Sequence, residues 1–238
     1  MKARGNFGMS YTSHWNFAED FTNTNIKGRG RIFKSQLFYV FFARNLPNTG
    51  THQPSDNPWR HVSQFLHVPN PSHSITLETA KTLPAETFKA CFNLVQECKD
   101  MYKRTIGWLA TVKKREMKHP AMRYLILSAA GSGGKTVAVV GFLSFMITEE
   151  DELGGWRADS GGSYELHLAQ EVQGRGLGRI LVEVMEGFGK RVGVEKVMLT
   201  VFLENEGARR FYSRLGYVRD DFTPDDVLHT PELGACQC

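Results

Sequence analysis

Four cysteines in 238 residues are too few to build a disulfide framework. Cys91 and Cys98 stand seven apart, two turns along one helical face, a spacing that suits small core residues. The terminal Cys236-Gln-Cys238 lacks the paired CxxC or histidine partner that zinc needs, so an exposed thiol tail is expected and no metal site. Long apolar runs are missing as well. The longest, Leu37 to Ala43 (LFYVFFA), falls far short of the roughly 20 residues of a membrane helix. The first forty residues also lack the continuous apolar stretch of a signal peptide. These absences predict a reduced, intracellular chain with no membrane partner.

A basic excess is missing where the chain reads as folded. The net charge is +4, but residues 1–72 hold 8 Lys and Arg against 3 Asp and Glu, a surplus of +5, which leaves −1 for residues 73–238. The same N-terminal segment holds 12 of the 27 aromatics and 5 of the 9 prolines, with little periodicity. Residues 1–73 therefore read as an extension and linker, largely irregular, with one apolar run from Ile32 to Ala43 that fits a short strand or a helix. A basic arm of this kind could touch nucleic acid or ribosome; an extension without function is the simpler reading. No direct DNA binding is expected of the remainder.

What is present begins at Ser74. Phe88, Cys91, Phe92, Val95, Cys98 and Tyr102 recur at helical spacing after Pro84, and a second, basic helical stretch broken by Gly107 runs to Lys118. Tyr124–Ala130 and Val137–Ile147 read as strands joined by a glycine-rich loop. A polar loop from Thr148 to Gly162 leads to a strand from Tyr164 to Val172. Leu177, Ile180, Leu181, Val184, Met185, Phe188 and Val192 line one face of a helix. A strand over Val197–Phe202, a helix carrying Ala208, Phe211, Tyr212 and Leu215, and a short strand near Tyr217–Arg219 complete the order. The order implies an α/β domain over residues 74–224 with a mixed sheet, followed by a tail at 225–238.

Two glycine loops compete as anion sites. Gly131–Thr136 (GSGGKT) fails as a nucleotide P-loop, because position 129 is Ala129 and the segment after it reads as a strand, with no helix N-terminus to hold a phosphate. Gln173-Gly174-Arg175-Gly176-Leu177-Gly178 lies between a strand and a helix, where backbone N–H groups converge on an anion and Arg175 and Arg179 add positive charge. A dinucleotide loop would need glycine at 179, where Arg179 stands.

The pattern Gln173-x-x-Gly176-x-Gly178 resembles the acetyl-CoA pyrophosphate signature of the GNAT superfamily of N-acetyltransferases. Asn205, Ala208, Phe211-Tyr212 and then Leu215-Gly216-Tyr217 resemble the same superfamily's ending. Within it the chain resembles the N-terminal acetyltransferase D family, which acetylates the α-amine of histone H4 and of another core histone beginning Ser-Gly-Arg-Gly. That resemblance runs from about Ile75 to Pro224. It is carried by Met101-Tyr102, Gly107-Trp108, Tyr164-Glu165-Leu166, Gly176-Leu177-Gly178, Gly207-Ala208 and above all the heptad Lys196 to Phe202 (KVMLTVF). Thr148 replaces an acid of the family, with Glu149, Glu150 and Asp151 beside it, and the family's C-terminal extension looks short here.

The resemblance implies a GNAT fold, with a mostly antiparallel mixed sheet flanked by helices, and acetyl-CoA as cosubstrate. It places the pantetheine on the backbone of Leu166, His167 and Leu168, the pyrophosphate on Gln173, Gly174, Arg175, Gly176, Leu177, Gly178 and Arg179, and Asn205 on the pantetheine arm. It implies Glu165 as general base through water and Tyr212 as donor to the leaving thiolate, a role suited to a phenol of ordinary pKa near roughly 10. Tyr102, Trp108 and Tyr164 would wall the peptide slot, and Thr200 would bond the substrate backbone. A solvated strand glutamate and plain core aromatics are the alternatives for these positions. Acidic runs at Glu149–Glu152 and at Asp220, Asp221, Asp225 and Asp226 would steer a basic tail toward the entrance, or are simply solvated surface.

Overall fold

The structure is a computed structural model that describes residues 39–46, 66, 72–130, 137–151 and 157–219, with the backbone alone for 39–43, 137, 148–151 and 157–164. Its strands are β1 (Tyr39–Asn45), β2 (His73–Thr79), β3 (Arg123–Ala130), β4 (Val137–Asp151), β5 (Arg157–Leu168), β6 (Lys196–Phe202) and β7 (Val218–Arg219). Its helices are α1 (Ala85–Glu97), α2 (Lys99–Arg104), α3 (Ala110–Met117), α4 (Leu177–Arg191) and α5 (Glu206–Arg214), with a single 3-10 turn at Gln170–Val172. The strands form one seven-stranded sheet in the order β2-β3-β4-β5-β6-β1-β7. The β5–β6 pair is parallel and the others are antiparallel, which is the expected mixed, mostly antiparallel sheet.

Period-two alternation gives the sheet two apolar faces. Leu125, Leu127, Leu143 and Phe145 join Leu177, Leu181, Val184, Met185 and Phe188 of α4 in one core. Tyr124, Ile126, Phe142 and Met146 point the other way, to Cys91, Phe92, Leu94 and Val95 of α1 and Met117 of α3. The predicted amphipathic faces of α1 and α4 are thus the ones that dock, and Cys91 is a fully buried core residue. Burial pushes its thiol up to about 12, which leaves it inert. Cys236 and Cys238 lie outside the described residues.

Several boundaries differ from the sequence reading. The helix expected to reach Tyr102 breaks at Cys98, whose N–H bonds back to the Val95 carbonyl (3.0 Å) and tightens the last turn of α1 before α2 begins. The polar stretch read as a loop is mostly strand, because Ile147 to Asp151 pair with Arg157 to Gly161 and extend the β4–β5 hairpin. β5 ends at Leu168 instead of Val172, where the 3-10 turn takes over. β3 and β4 stay paired up to Ala130 and Val137, so GSGGKT connects a hairpin and is followed by a strand.

The larger correction concerns the boundary drawn at residue 73. β1 comes from the segment read as an extension, yet all seven of its residues pair with β6, from Tyr39 opposite Phe202 to Asn45 opposite Lys196. Leu46 is buried at 5% exposure and Leu66 packs on the same core. β1 is pinned by a polar cluster. Arg44 Nη1 meets both carboxylate oxygens of Glu186 on α4 at 3.1 and 3.2 Å, and the Tyr217 hydroxyl donates to Glu186 Oε1 at 2.9 Å. Glu186 is 4% exposed, so its charge depends on these donors.

Replacing Arg44 by alanine strips the buried carboxylate of its cation and is expected to cost about 1–3 kcal/mol. The check is a urea midpoint that falls at constant m and is partly restored by Arg44→Lys. An unmoved midpoint would mean that β1 docks without the pair.

Candidate functional site

The site begins with a missing strand partner. β5 and β6 are in register over four residue pairs, from Ser160 opposite Lys196 to Ser163 opposite Leu199, and there the pairing stops. The reason lies on the other edge of β5, where Ser144 faces Glu165 and Phe145 faces Ser163. Tyr164 is the extra residue of a bulge, which bends and twists β5 away from β6. Beyond it, Leu166, His167 and Leu168 pair with Leu143, Phe142 and Gly141 of β4, and among the described residues no strand takes their other edge. The result is a wedge between β5 and β6 lined by backbone N–H and C=O groups. The sheet approaches closely here: a Cβ on Gly141 would stand 2.9 Å from the His167 carbonyl oxygen and 2.4 Å from Leu168 Cδ2.

The wedge opens toward the N-terminus of α4. Gly174 and Gly176 adopt φ of 71° and 79°, and Gly176 is the N-cap with no side-chain cap. The first N–H groups of α4 have no intrahelical acceptor, and among the described residues no N-cap side chain takes them. Gln173 ties this loop to the strand end, its Nε2 donating to the Leu168 carbonyl at 2.8 Å. Leu177 is buried while Arg175 and Arg179 are exposed at the mouth. Gly178 lets α4 pass Phe211, since a Cβ there would meet that ring at 3.4 Å. Such a turn suits a diphosphate, and the unpaired strand edge suits an amide-bearing arm, so the residues present fit acetyl-CoA. Asn205 caps α5, its Oδ1 accepting from the Ala208 N–H at 3.0 Å, which leaves its amide N–H groups for another acceptor. Among the described residues no His, Cys, Asp and Glu group could hold a metal.

On the opposite sheet face, Glu165 and His167 project together toward α1, α2 and α3. The Glu165 carboxylate, with its side chain 6% exposed, receives the Tyr102 hydroxyl on Oε1 at 2.9 Å and His167 Nε2 on Oε2 at 2.6 Å. Lys113 Nζ forms an ion pair with the same Oε1 and reaches Glu116 Oε1 at 2.8 Å. Behind them, Cys98 Sγ is 3.9 Å from His167 Nδ1, and Phe142 stacks on the imidazole. Burial by itself would raise the Glu165 carboxyl, but the Lys113 ammonium and His167 outweigh it and hold the group at about 2. Burial would likewise depress His167, yet its bonds to Cys98 and Glu165 raise it from 6.5 to about 9. At neutral pH the pair is carboxylate and imidazolium, with Nε2–H donating.

An aromatic wall leads to this cluster. Tyr102 packs edge-on against Trp108 (5.4 Å) and Phe202 (5.0 Å), and Trp108 stacks on Phe92 (6.0 Å). Thr200 is exposed and lies two residues before Phe202, hence on the same face of β6. Tyr212 is 7% exposed, between Phe211 and Tyr217, and burial followed by the Glu165 charge raises its phenol well above the usual value. Of the expected site residues, the fold thus gathers Tyr102, Trp108, Thr200 and Glu165 on one side of the wedge. Leu166 to Leu168 form its edge, Gln173 to Arg179 its mouth, and Asn205 caps the helix after β6. The bulge residue Tyr164 is placed by its backbone alone, and the acids at 220–226 lie outside the described residues.

The sequence reading missed Lys113, Glu116 and the side chain of His167. Lys113 carries one legible signal: it precedes the buried Met117 by four residues and so shares its inward face. Nothing local says which carboxylate it meets.

The acetyltransferase (GNAT) family model matches residues 87–217, more than half of the chain, and the chain belongs to that family. Over 137 residues it is 34% identical to N-alpha-acetyltransferase 40 of Saccharomyces cerevisiae, a match covering 52% of this chain and 46% of that protein. The chain thus spans about half the length of the curated relative it matches. Among solved structures, a ribosomal-protein-alanine N-acetyltransferase from Brucella melitensis is 16% identical, with a TM-score of 0.46 over 64% of this chain and 95% of that one. The aminoglycoside N-acetyltransferase AAC(6')-Iy in complex with CoA is 14% identical, with a TM-score of 0.48 over 65% and 94%. Identities this low say nothing about substrate.

Two outcomes follow from the geometry. Because the folded state raises His167 from 6.5 to about 9, its contribution to stability is complete below about 6.5 and is lost as pH rises through 9. Urea denaturation should show stability falling between those values, and His167→Gln should flatten that slope. Tyr212→Phe is expected to lower turnover about 10- to 100-fold with little change in acetyl-CoA affinity. Unaltered turnover in steady-state assays would reduce Tyr212 to a core residue.

Proposed function

We propose that this protein is an acetyl-CoA-dependent N-terminal acetyltransferase acting on free α-amines, with the tails of histone H4 and of other histones beginning Ser-Gly-Arg-Gly as its substrates in cytoplasm and nucleus. The similarity to N-alpha-acetyltransferase 40 supports the reaction class, and the heptad Lys196 to Phe202 supports the acceptor. The observation that carries the choice of amine is that, among the described residues, three donors already hold Glu165. Oε1 already accepts from Tyr102 and Lys113, and Oε2 accepts from a protonated His167. A carboxylate offers about four acceptor positions, so one remains, on Oε2.

A carboxylate held at about 2, beside an imidazole that is already protonated, takes no proton from an ammonium ion at neutral pH. The acceptor must arrive as the free base. An α-amine with a pKa near 8 is roughly a quarter neutral at pH 7.5, whereas a lysine side chain near 10.4 is about 0.1% neutral, a ratio of order 200 in favour of the N-terminus. Glu165 then orients the amine, directly or through water, from its remaining acceptor position. The proton leaves later, as the nitrogen loses its basicity to the forming amide, and a carboxylate of low pKa suffices to receive it.

Acetyl-CoA supplies the activated acyl group. The edge of Leu166 to Leu168, the turn from Gln173 to Arg179 and the Asn205 amide would hold it. Tyr102 and Trp108, with Tyr164 at the bulge and Thr200 on β6, would line the peptide. Tyr212 stays protonated and donates a hydrogen bond to the sulfur as the C–S bond breaks, and the thiolate takes up the proton that the amine released to Glu165, passed on through water.

Mass spectrometry of peptides beginning SGRGK, incubated with enzyme and acetyl-CoA, is expected to show acetylation where the α-amine is free and none where it is blocked. In the same assay kcat/KM should rise with pH in step with the amine's own ionisation, levelling near 8. Acetylated lysine in the blocked peptide would overturn the reading.

A further inference from the structure

Two adjacent lysines of α3 have opposite fates. Lys114 lies outward over the Phe92 ring at 4.5 Å, as Lys118 does over Phe88 at 5.0 Å. Lys113 turns inward, with 9% of its side chain exposed, and places its ammonium between Glu165 of β5 and Glu116 of its own helix. It also lies over the Tyr102 ring at 5.0 Å, and the Tyr102 hydroxyl shares Oε1 of Glu165 with it. An ammonium has three N–H groups, and two carboxylates and a ring face account for all three. A buried ion pair is weak evidence for stability, since desolvation offsets much of the attraction. Three groups fixed around one carboxylate at the end of a peptide slot, Tyr102 and Lys113 on Oε1 and His167 on Oε2, have a different use.

We propose that Lys113, braced by Glu116, is a positioning residue that fixes the Glu165 carboxylate and the Tyr102 ring in the geometry against which the acceptor amine aligns. The proposal rests on the reading of Glu165 as the carboxylate of the acceptor site. It assigns Lys113 no contact with substrate; its effect passes through Glu165 and Tyr102. The bracing is specific to the lysine's length and charge. A shorter residue on α3 would not span to β5, and a neutral one would leave no cation between the Glu116 and Glu165 carboxylates. The Glu116 carboxyl is raised by burial and kept in check by Lys113, which shows how far this charge balance depends on the one ammonium.

The charged and titratable groups facing Glu165 come from every element around it. They are Cys98 at the end of α1, Tyr102 on α2, Lys113 and Glu116 on α3, Tyr124 on β3, His167 on β5 and Tyr212 on α5. Lys113 and His167 are the cations among them. Removing Lys113 therefore leaves Glu165 with one cation and several neutral or acidic neighbours, and its carboxyl should titrate at higher pH.

The test combines carboxylate NMR titration of Glu165 with steady-state kinetics on the full chain. In Lys113→Met, Glu165 should titrate at least one pH unit higher. In the same variant kcat should fall about 10- to 100-fold while the KM for acetyl-CoA stays within about twofold, as expected for a misplaced acceptor. Lys113→Arg, which keeps the charge in a different shape, should restore the low titration and part of the turnover. If Lys113→Met does not fold, Glu116→Gln serves, with a several-fold loss in kcat at unchanged KM. A Glu165 titration and kcat unchanged in Lys113→Met, or kcat unchanged in both Glu116→Gln and Lys113→Arg, overturns the proposal. Wild-type enzyme that acetylates no α-amine, together with a shifted Glu165 titration in Lys113→Met, supports the hold of Lys113 on Glu165 and overturns the acceptor reading instead.

Discussion

The parallel pairing of β5 with β6 lasts four residues, and every functional feature of the domain depends on where it stops. Had it continued, the backbone of Leu166 to Leu168 would be satisfied by β6 and no unpaired edge would remain. The single extra residue at Tyr164 prevents this by adding twist to one strand while β4 keeps the other edge in register. Divergence of the strands leaves the two sheet faces with different tasks. On one, Leu166 and Leu168 pack with α4 and carry the chain toward the glycine turn. On the other, Glu165 and His167 project into the cluster bounded by α1, α2 and α3.

That second face combines a desolvated carboxylate with enough donors to keep it charged. A lone buried carboxylate would take up a proton, and a lone buried imidazole would lose one. Side by side, each reverses the other's tendency, and Lys113 decides the balance in favour of the ionised pair. Under the proposed function, such a site would align a nucleophile already deprotonated instead of generating it. Orientation converts an encounter into a reaction in which little further motion is required. The tight contact of Gly141 with the His167 carbonyl shows that the strand bearing both residues is held closely against its neighbour.

The local parts of this architecture are legible in the residues. The turn from Gln173 to Gly178 needs two positive φ angles before a helix, and glycine at 174 and 176 declares them. The apolar face of α4 recurs at three and four because a helix must bury one stripe. Asn205 followed by Ala208 reads as a cap because an N-cap oxygen reaches the N–H three residues on. The cluster around Glu165 was half legible: Glu165 and His167 stand two apart in a strand and must share a face, whereas Lys113 and Glu116 stand in a run of four charged residues that reads as solvated surface. β1 was the hardest to see. Its aromatic run fits a strand or a helix, and the prolines and asparagines after it read as a linker.

Sequence alone determined the family, the glycine turn before α4 and the faces of the principal helices, since each rests on spacings within one segment. Tertiary structure decided which charges became functional. Arg44 meets Glu186 across 142 residues and Tyr102 meets Glu165 across 63, and no periodicity within a segment encodes such pairs. The same holds for the wedge between β5 and β6, which is a relation between two strands separated by a helix and exists only once the sheet has formed and one strand has turned away from the other.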